Sequence, residues 1–243
     1  MRSSSRTLAC ICGKRFFLGG DALIVKTLGI MGLVAAGKNY FTQKIIEVCN
    51  KRQIAYYLYD ADKESKAFVL SHKKEITQMF GLDSDVTDDE LKQYCYRAIF
   101  EHSDPEHSYR NYVWNGLKQE LLEKREKFAS SHLADGQKRV FIINAPLLLS
   151  SGWYALCDTI AEVKTDSDVR FERFITRDMG LGYDKKQSTQ RFYKTEAAYT
   201  EEKTVDRTQF RTIIYKINNT IAMVDNHLEL EAMVVLNTVF EDK

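Results

Sequence analysis

The residues best placed for chemistry begin at Gly32, where Gly32-Leu33-Val34-Ala35-Ala36-Gly37-Lys38-Asn39 fits the pattern G-x-x-x-x-G-K. Glycines at these positions let the backbone curl until successive N–H groups point at phosphate oxygens, and a helix starting there adds its positive dipole end. Lys38 would reach the β and γ phosphates of a bound nucleotide, with Tyr40 just beyond the loop. Asn39 stands where Ser or Thr usually gives a hydroxyl to Mg2+. An amide carbonyl is also a hard oxygen ligand, but its greater length shifts the ion or places water between them. The alternative is a loop that binds nucleotide and has lost turnover.

These residues need a strand before them and a helix after them. Leu23 to Met31 is an apolar run broken only by Lys26 and Thr27, the pattern of a buried parallel strand, and residues 40–51 read as a helix. A second strand, Ile54 to Tyr59, ends at Asp60-Ala61-Asp62, and the carboxyl end of a parallel strand favours polar chemistry. Residues 63–134 are charged and helical in pattern, with turns at Gly81–Asp85 and Ser103-Asp104-Pro105, too long for an ordinary crossover and read as a helical insertion. Strand-like runs return at Val140–Asn144, Thr159–Val163 and Thr212–Ile217, with helices expected over 164–178 and Leu228–Phe240 and a polar, basic stretch from Gly180 to Arg211. Strands interleaved with helices predict an α/β fold, three layers α/β/α around a five-stranded parallel sheet. The core takes residues 25–62 and 135–243, and the insertion 63–134.

Composition narrows the class. In 243 residues the chain carries 35 Lys+Arg against 34 Asp+Glu, a formal charge of +1, so nothing draws it in bulk to nucleic acid or an anionic membrane. No run is long enough to span a bilayer. Five cysteines without a paired framework read as free thiols in a reducing compartment, with cytoplasm the default, and Cys10 and Cys12 lack partners at metal-ligand spacing. Residues 1–24 are rich in Arg and Ser and nearly free of acids, which reads as a transit peptide or as an extension upstream of a working protein that starts near Val25.

From Val25 to about residue 235 the chain resembles the dephospho-CoA kinases, a P-loop kinase family. The resemblance runs in order through LGIMGLVAAGKN, Asp60-Ala61-Asp62, Phe80-Gly81, the acidic run at 88–92, Phe100, Pro146-Leu147-Leu148 and Ser151-Gly152. It continues through Arg177-Asp178, Gly180-Leu181, Glu201-Glu202-Lys203 and Ile217-Asn218-Asn219. It implies transfer of the γ-phosphoryl of ATP, with Mg2+, to the ribose 3′-hydroxyl of dephospho-CoA. Asp62 matches the family's base, a carboxylate that orients the acceptor hydroxyl and takes its proton. Asp60 then supports magnesium or holds the loop, or caps a helix. A lid at about 178–211 brings Arg177 and Arg191, whose guanidinium forks suit phosphates; Arg191 alternatively reads as a solvated helix-face charge. Asn219 falls where a side-chain amide reads the adenine edge, or is a turn residue after a strand. Lys66 occupies the place of a family arginine facing the acceptor's phosphates. Asn115-Gly116 replaces the family's His-Pro, and Ser150 replaces an acid after Pro-Leu-Leu, so the acceptor side departs more than the ATP cradle.

Two other readings compete. A nucleoside or deoxynucleoside monophosphate kinase would use the same cradle and lid. A catalytically weak nucleotide-binding regulatory protein is motivated by Asn39 and Asn115.

Overall fold

The computed structural model describes residues 25–100, 108–131, 137–207, 212–220 and 226–241. The segment 1–24, with Cys10 and Cys12, the turn at Ser103-Asp104-Pro105 and the end of the lid segment at 208–211 lie outside them.

The strands are β1 (Val25–Met31), β2 (Ala55–Asp60), β3 (Arg139–Asn144), β4 (Thr159–Lys164) and β5 (Ile213–Asn218), in spatial order β2-β3-β1-β4-β5 with every pairing parallel. All six β3 residues are buried, as are the last five of β1, because helices cover both faces. Side chains alternate between faces, and each face feeds its own core. Val140 and Ile142 of β3, with Leu28 and Ile30 of β1, pack against α1 (Lys38–Lys51) and α9 (Asn226–Phe240). Phe141 and Ile143 face the other way, toward α2 (Ala61–Ser71), α3 (Lys73–Met79), α4 (Asp88–Phe100) and α5 (Ser108–Ala129). The architecture is therefore the expected three-layer α/β/α.

The strands fall within a residue or two of their expected bounds. α1 starts at Lys38 rather than at residue 40, because Gly37 takes a left-handed conformation (φ 91°) and serves as N-cap. The polar stretch after Gly180 is helical: α6 (Ser167–Gly180) is followed by α7 (Lys185–Ala198) and the short α8 (Thr200–Thr204). Asp184 and Gln187 form a reciprocal capping box that starts α7 despite its polar composition.

The insertion shares a core with the sheet. Leu91, Val113, Leu117 and Leu121 are buried together with Tyr59 and Phe141, and the Tyr59 hydroxyl donates to Leu117 O at 3.1 Å. Buried Arg139 donates to Ala129 O (2.8 Å) and Ser131 O (3.1 Å), holding its cation at the carboxyl end of α5. Cys49, Cys95 and Cys157 are buried and free, with Cys49 pushed up to about 12 by burial, so they act as inert core residues. Among the described residues no helix is long and apolar enough to cross a membrane.

Helices α2 and α5 meet at Gly116, where a Cβ would run into the Phe68 ring. Phe68 is itself held by His72, stacked 3.9 Å away, and by Tyr112. Gly116→Val should therefore cost about 1–3 kcal/mol through overpacking, read as a lower urea midpoint at unchanged slope. An unchanged midpoint would mean that this seam is not close-packed.

Candidate active site

The loop between β1 and α1 is a closed turn, with Ala36 N donating to Leu33 O at 3.2 Å. No side chain caps α1 and its first turn has no acid, so its leading N–H groups remain available to an anion. The loop is fixed from behind. Asn219 Nδ2 and Thr165 Oγ1 both donate to Ala36 O at 2.9 Å, and Arg170 Nη1 donates to Val34 O at 3.3 Å. A Cβ at Gly37 would strike the Asn219 amide, so only glycine lets this brace form. Ala35 adopts φ 58°, a left-handed conformation costly for a residue with a Cβ. Val34 and Ala35 pack against Phe174, Ile175 and Phe192 of α6 and α7, which holds them there.

Lys38 Nζ folds back over the loop, donating to Gly32 O at 2.9 Å, with Leu33 O at 3.4 Å. Burial pulls its pKa down to about 8; Asp62 and Asp60 oppose the shift, and Arg177 and Arg170 add to it. Asp60 Oδ1 accepts from Asp62 N and Lys63 N, each at 3.1 Å, and so caps α2. The Asp62 carboxyl is pushed above its ordinary range, first by the protein around it and then by Asp60, against the pull of Lys38, Lys66 and Arg177. Lys38, Asp60, Asp62, Lys66 and Arg177 thus form one electrostatic neighbourhood.

Other expected site residues sit differently. Tyr40 is 45% exposed on α1, with Lys44 over its ring. Asn39 is exposed, and its Oδ1 accepts from Asn144 Nδ2 at 2.9 Å. Asn219 spends its amide N–H on the loop. Arg177 is half-exposed and lies over the Phe174 ring. Arg191 Nε bonds buried Asp178 at 2.7 Å and its guanidinium covers the Tyr183 ring. It also borders a cavity of about 270 Å3 with Lys92, Gln93, Tyr96 and Arg97. Asn115 is exposed on α5.

Arg170 and Arg173 reach the site without a sequence signal, and Glu202 of the Glu201-Glu202-Lys203 motif takes a role that the motif did not specify. Arg170 makes a bidentate pair with Glu196 of α7 (2.6 and 3.1 Å) and Arg173 donates to Asn219 O at 3.1 Å. Buried Glu202 of α8 accepts from Leu149 N (2.8 Å) and Ser150 N (2.7 Å), which brings a carboxylate to the position where Ser150 lacks one. A larger cavity of about 630 Å3 opens on the β4–β5 side of the loop, lined by Gly32, Leu33, Glu162, Lys164, Arg170 and Arg207 among others. That volume suits a small-molecule ligand.

A phosphate-shaped loop between the central strand and its helix, carboxylates at the end of β2, and a helical pair packed on the loop define a P-loop kinase. Its fold is that of the crystal structure of TT1252 from Thermus thermophilus, which superposes with a TM-score of 0.62 at 17% identity over 90% of this chain and 99% of that one. The chain belongs to the dephospho-CoA kinase family, whose profile matches residues 26–222. A dephospho-CoA kinase of Fusobacterium nucleatum is 28% identical over 161 residues, 63% of this chain and 74% of that relative. The protein is accordingly an enzyme of coenzyme A biosynthesis that phosphorylates dephospho-CoA at the expense of ATP, which sets aside the monophosphate-kinase and regulatory readings.

The strain at Ala35 is testable apart from activity. Ala35→Gly should raise stability by roughly 0.5–1 kcal/mol, the relief of the left-handed alanine less glycine's chain entropy. Thermal unfolding measures it, and a loss of stability would mean that the Cβ contact with the α6–α7 cluster outweighs the strain.

Proposed function

We propose that the Gly32–Asn39 loop wraps the triphosphate of ATP, that Lys38 meets its β and γ phosphates, and that Asp62 is the base for the 3′-hydroxyl of dephospho-CoA. One observation carries the reading: Lys38 Nζ rests on the loop carbonyls of Gly32 and Leu33, with Asp62 the strongest charge acting on it. In this reading the backbone amides from Leu33 to Tyr40 and the start of α1 hold the phosphates. The nucleoside end of ATP lies toward the cavity beside β4 and β5, near Asn219.

The transfer itself needs alignment and charge neutralisation. The acceptor 3′-oxygen attacks the γ-phosphorus in line, the bond to the β–γ bridging oxygen breaks, and ADP leaves. Asp62 takes the hydroxyl proton, and its raised pKa makes it a better acceptor than an ordinary carboxylate. Arg177, in the last turn of α6, faces the same neighbourhood and balances charge on the moving phosphoryl group. On the acceptor side Lys66, and Arg191 with Lys92 and Arg97 around the smaller cavity, offer cations to the acceptor's diphosphate, with Asn115 further out on α5. Free buried thiols and a soluble metabolite as substrate support a cytoplasmic place of action.

Magnesium, the usual companion of ATP, fits these residues poorly. Asn39, its expected P-loop ligand, spends Oδ1 on Asn144, and Asp60 spends Oδ1 on the cap of α2.

Lys38 must be protonated to meet phosphate, and its free-protein pKa lies at about 8. ATP affinity measured by calorimetry should be flat near pH 7 and fall as pH rises past that value, by at most about tenfold per pH unit. A flat profile up to strongly alkaline pH would remove Lys38 from the phosphate contact. For the base, Asp62→Asn should lower kcat by roughly 100- to 1,000-fold while leaving ATP binding nearly unchanged. An equal loss in both, or no loss of rate, would exclude Asp62 from proton transfer.

A further inference from the structure

In P-loop enzymes the ion beside the nucleotide is held by a hydroxyl on the residue after the loop lysine and by a carboxylate at the end of a neighbouring strand. Both places are amides in this chain. Asn39 follows Lys38, and Asn144 ends β3, which is hydrogen-bonded to β1 with Ile30 opposite Asn144. The two side chains are bonded to each other, Asn144 Nδ2 to Asn39 Oδ1 at 2.9 Å. Asn144 is 5% exposed, and its Oδ1 is sealed from solvent with no hydrogen-bond partner among the described residues.

The count of donors does not depend on which way the amides are turned. Exchanging oxygen and nitrogen in both groups still uses one oxygen in the shared bond, and the pair brings no formal charge in either arrangement. A magnesium ion gives up water reluctantly and is ordinarily held through carboxylates, so a neutral amide pair is a poor exchange for its hydration shell. Positive charge at the loop comes instead from the protein. Lys38, Arg170, Arg173 and Arg177 all stand close to it, the first two bonded to its carbonyls and the third to Asn219 behind it.

We infer that the Asn39–Asn144 pair is a metal-independent lock, which ties the first turn of α1 to the end of β3, and that the loop binds ATP equally well with and without magnesium. The inference rests on the reading that this loop is the ATP site. It concerns the binding step and the two amides, not the acceptor or the base.

The test is equilibrium binding of a non-hydrolysable ATP analogue to the full chain by calorimetry, in excess magnesium and in excess EDTA. Dissociation constants within about threefold of each other are expected, and a loss of roughly tenfold or more in EDTA would overturn the inference. Absence of binding in both buffers would overturn the ATP-site reading itself and the inference with it, which separates the two failures. The double variant Asn39→Thr/Asn144→Asp restores the hydroxyl and the carboxylate. After its fold is checked by thermal unfolding, it should gain a magnesium dependence of about tenfold or more; a folded double variant as indifferent to magnesium as the wild type would show that the amides do not decide the matter. The wild-type comparison stands whether or not the variant folds.

Discussion

The turn from Gly32 to Lys38 is held by donors that reach its carbonyls from behind, and Lys38 and the start of α1 take their positions from that turn. A loop whose N–H groups point outward to an anion must point carbonyls inward, and buried carbonyls without donors are costly. Ala36 O receives two donors, from Asn219 after β5 and Thr165 after β4, and Val34 O receives Arg170 from α6. The ends of β4 and β5 therefore have to lie beside β1, on the side away from β3. Sheet order and loop shape are one requirement seen at two scales, and the glycine at position 37 is the point where they meet, since the Asn219 amide occupies the space its side chain would need.

The electrostatics follow from the same geometry. Folding Lys38 back over the loop packs protein around its ammonium, and burial outweighs the nearby carboxylates in setting its pKa. Asp62 is displaced in the opposite sense for the same reason, its charged form disfavoured by the protein around it. The two shifts bring a lysine and a carboxylate closer to exchanging a proton near neutral pH than either would be in water. A triphosphate entering the loop would change that balance in favour of protonated Lys38, and the charge on Lys38 would then help Asp62 remain ionised.

The sequence made the loop, the strands and the carboxylate pair legible because each is local: glycine spacing, apolar runs and a motif at a strand end can be read within a dozen residues. What it concealed is what depends on distant partners. Asn144 closes on Asn39 across 105 positions and Arg170 reaches Val34 across 136, so neither shows a pattern before the fold is known. Glu202 belonged to a recognised motif, yet its task of holding the amides of Leu149 and Ser150 follows from three-dimensional proximity alone. The two helices between Gly180 and Arg211 are a different case. Their polar composition hid them, although Asp184 and Gln187 at capping-box spacing offered a local signal.

Helices α6, α7 and α8 are held at both ends, which limits how they can move. Near the loop, Arg170 and Glu196 form a largely buried bidentate pair, and the α6–α7 aromatic cluster packs on Val34 and Ala35. Separating such a pair without replacing its partners costs about 3–5 kcal/mol. At the far end Glu202 fastens α8 to the turn after β3 with two charge-assisted bonds. A rigid swing of the three helices would have to break both attachments together. Motion confined to the turn between α6 and α7, residues 176–191, breaks neither, and that turn region contains Gly182 at φ 94° and the Arg177, Asp178 and Arg191 group. Local rearrangement there, with both anchors intact, is less costly than a swing of all three helices, and it leaves the loop geometry undisturbed.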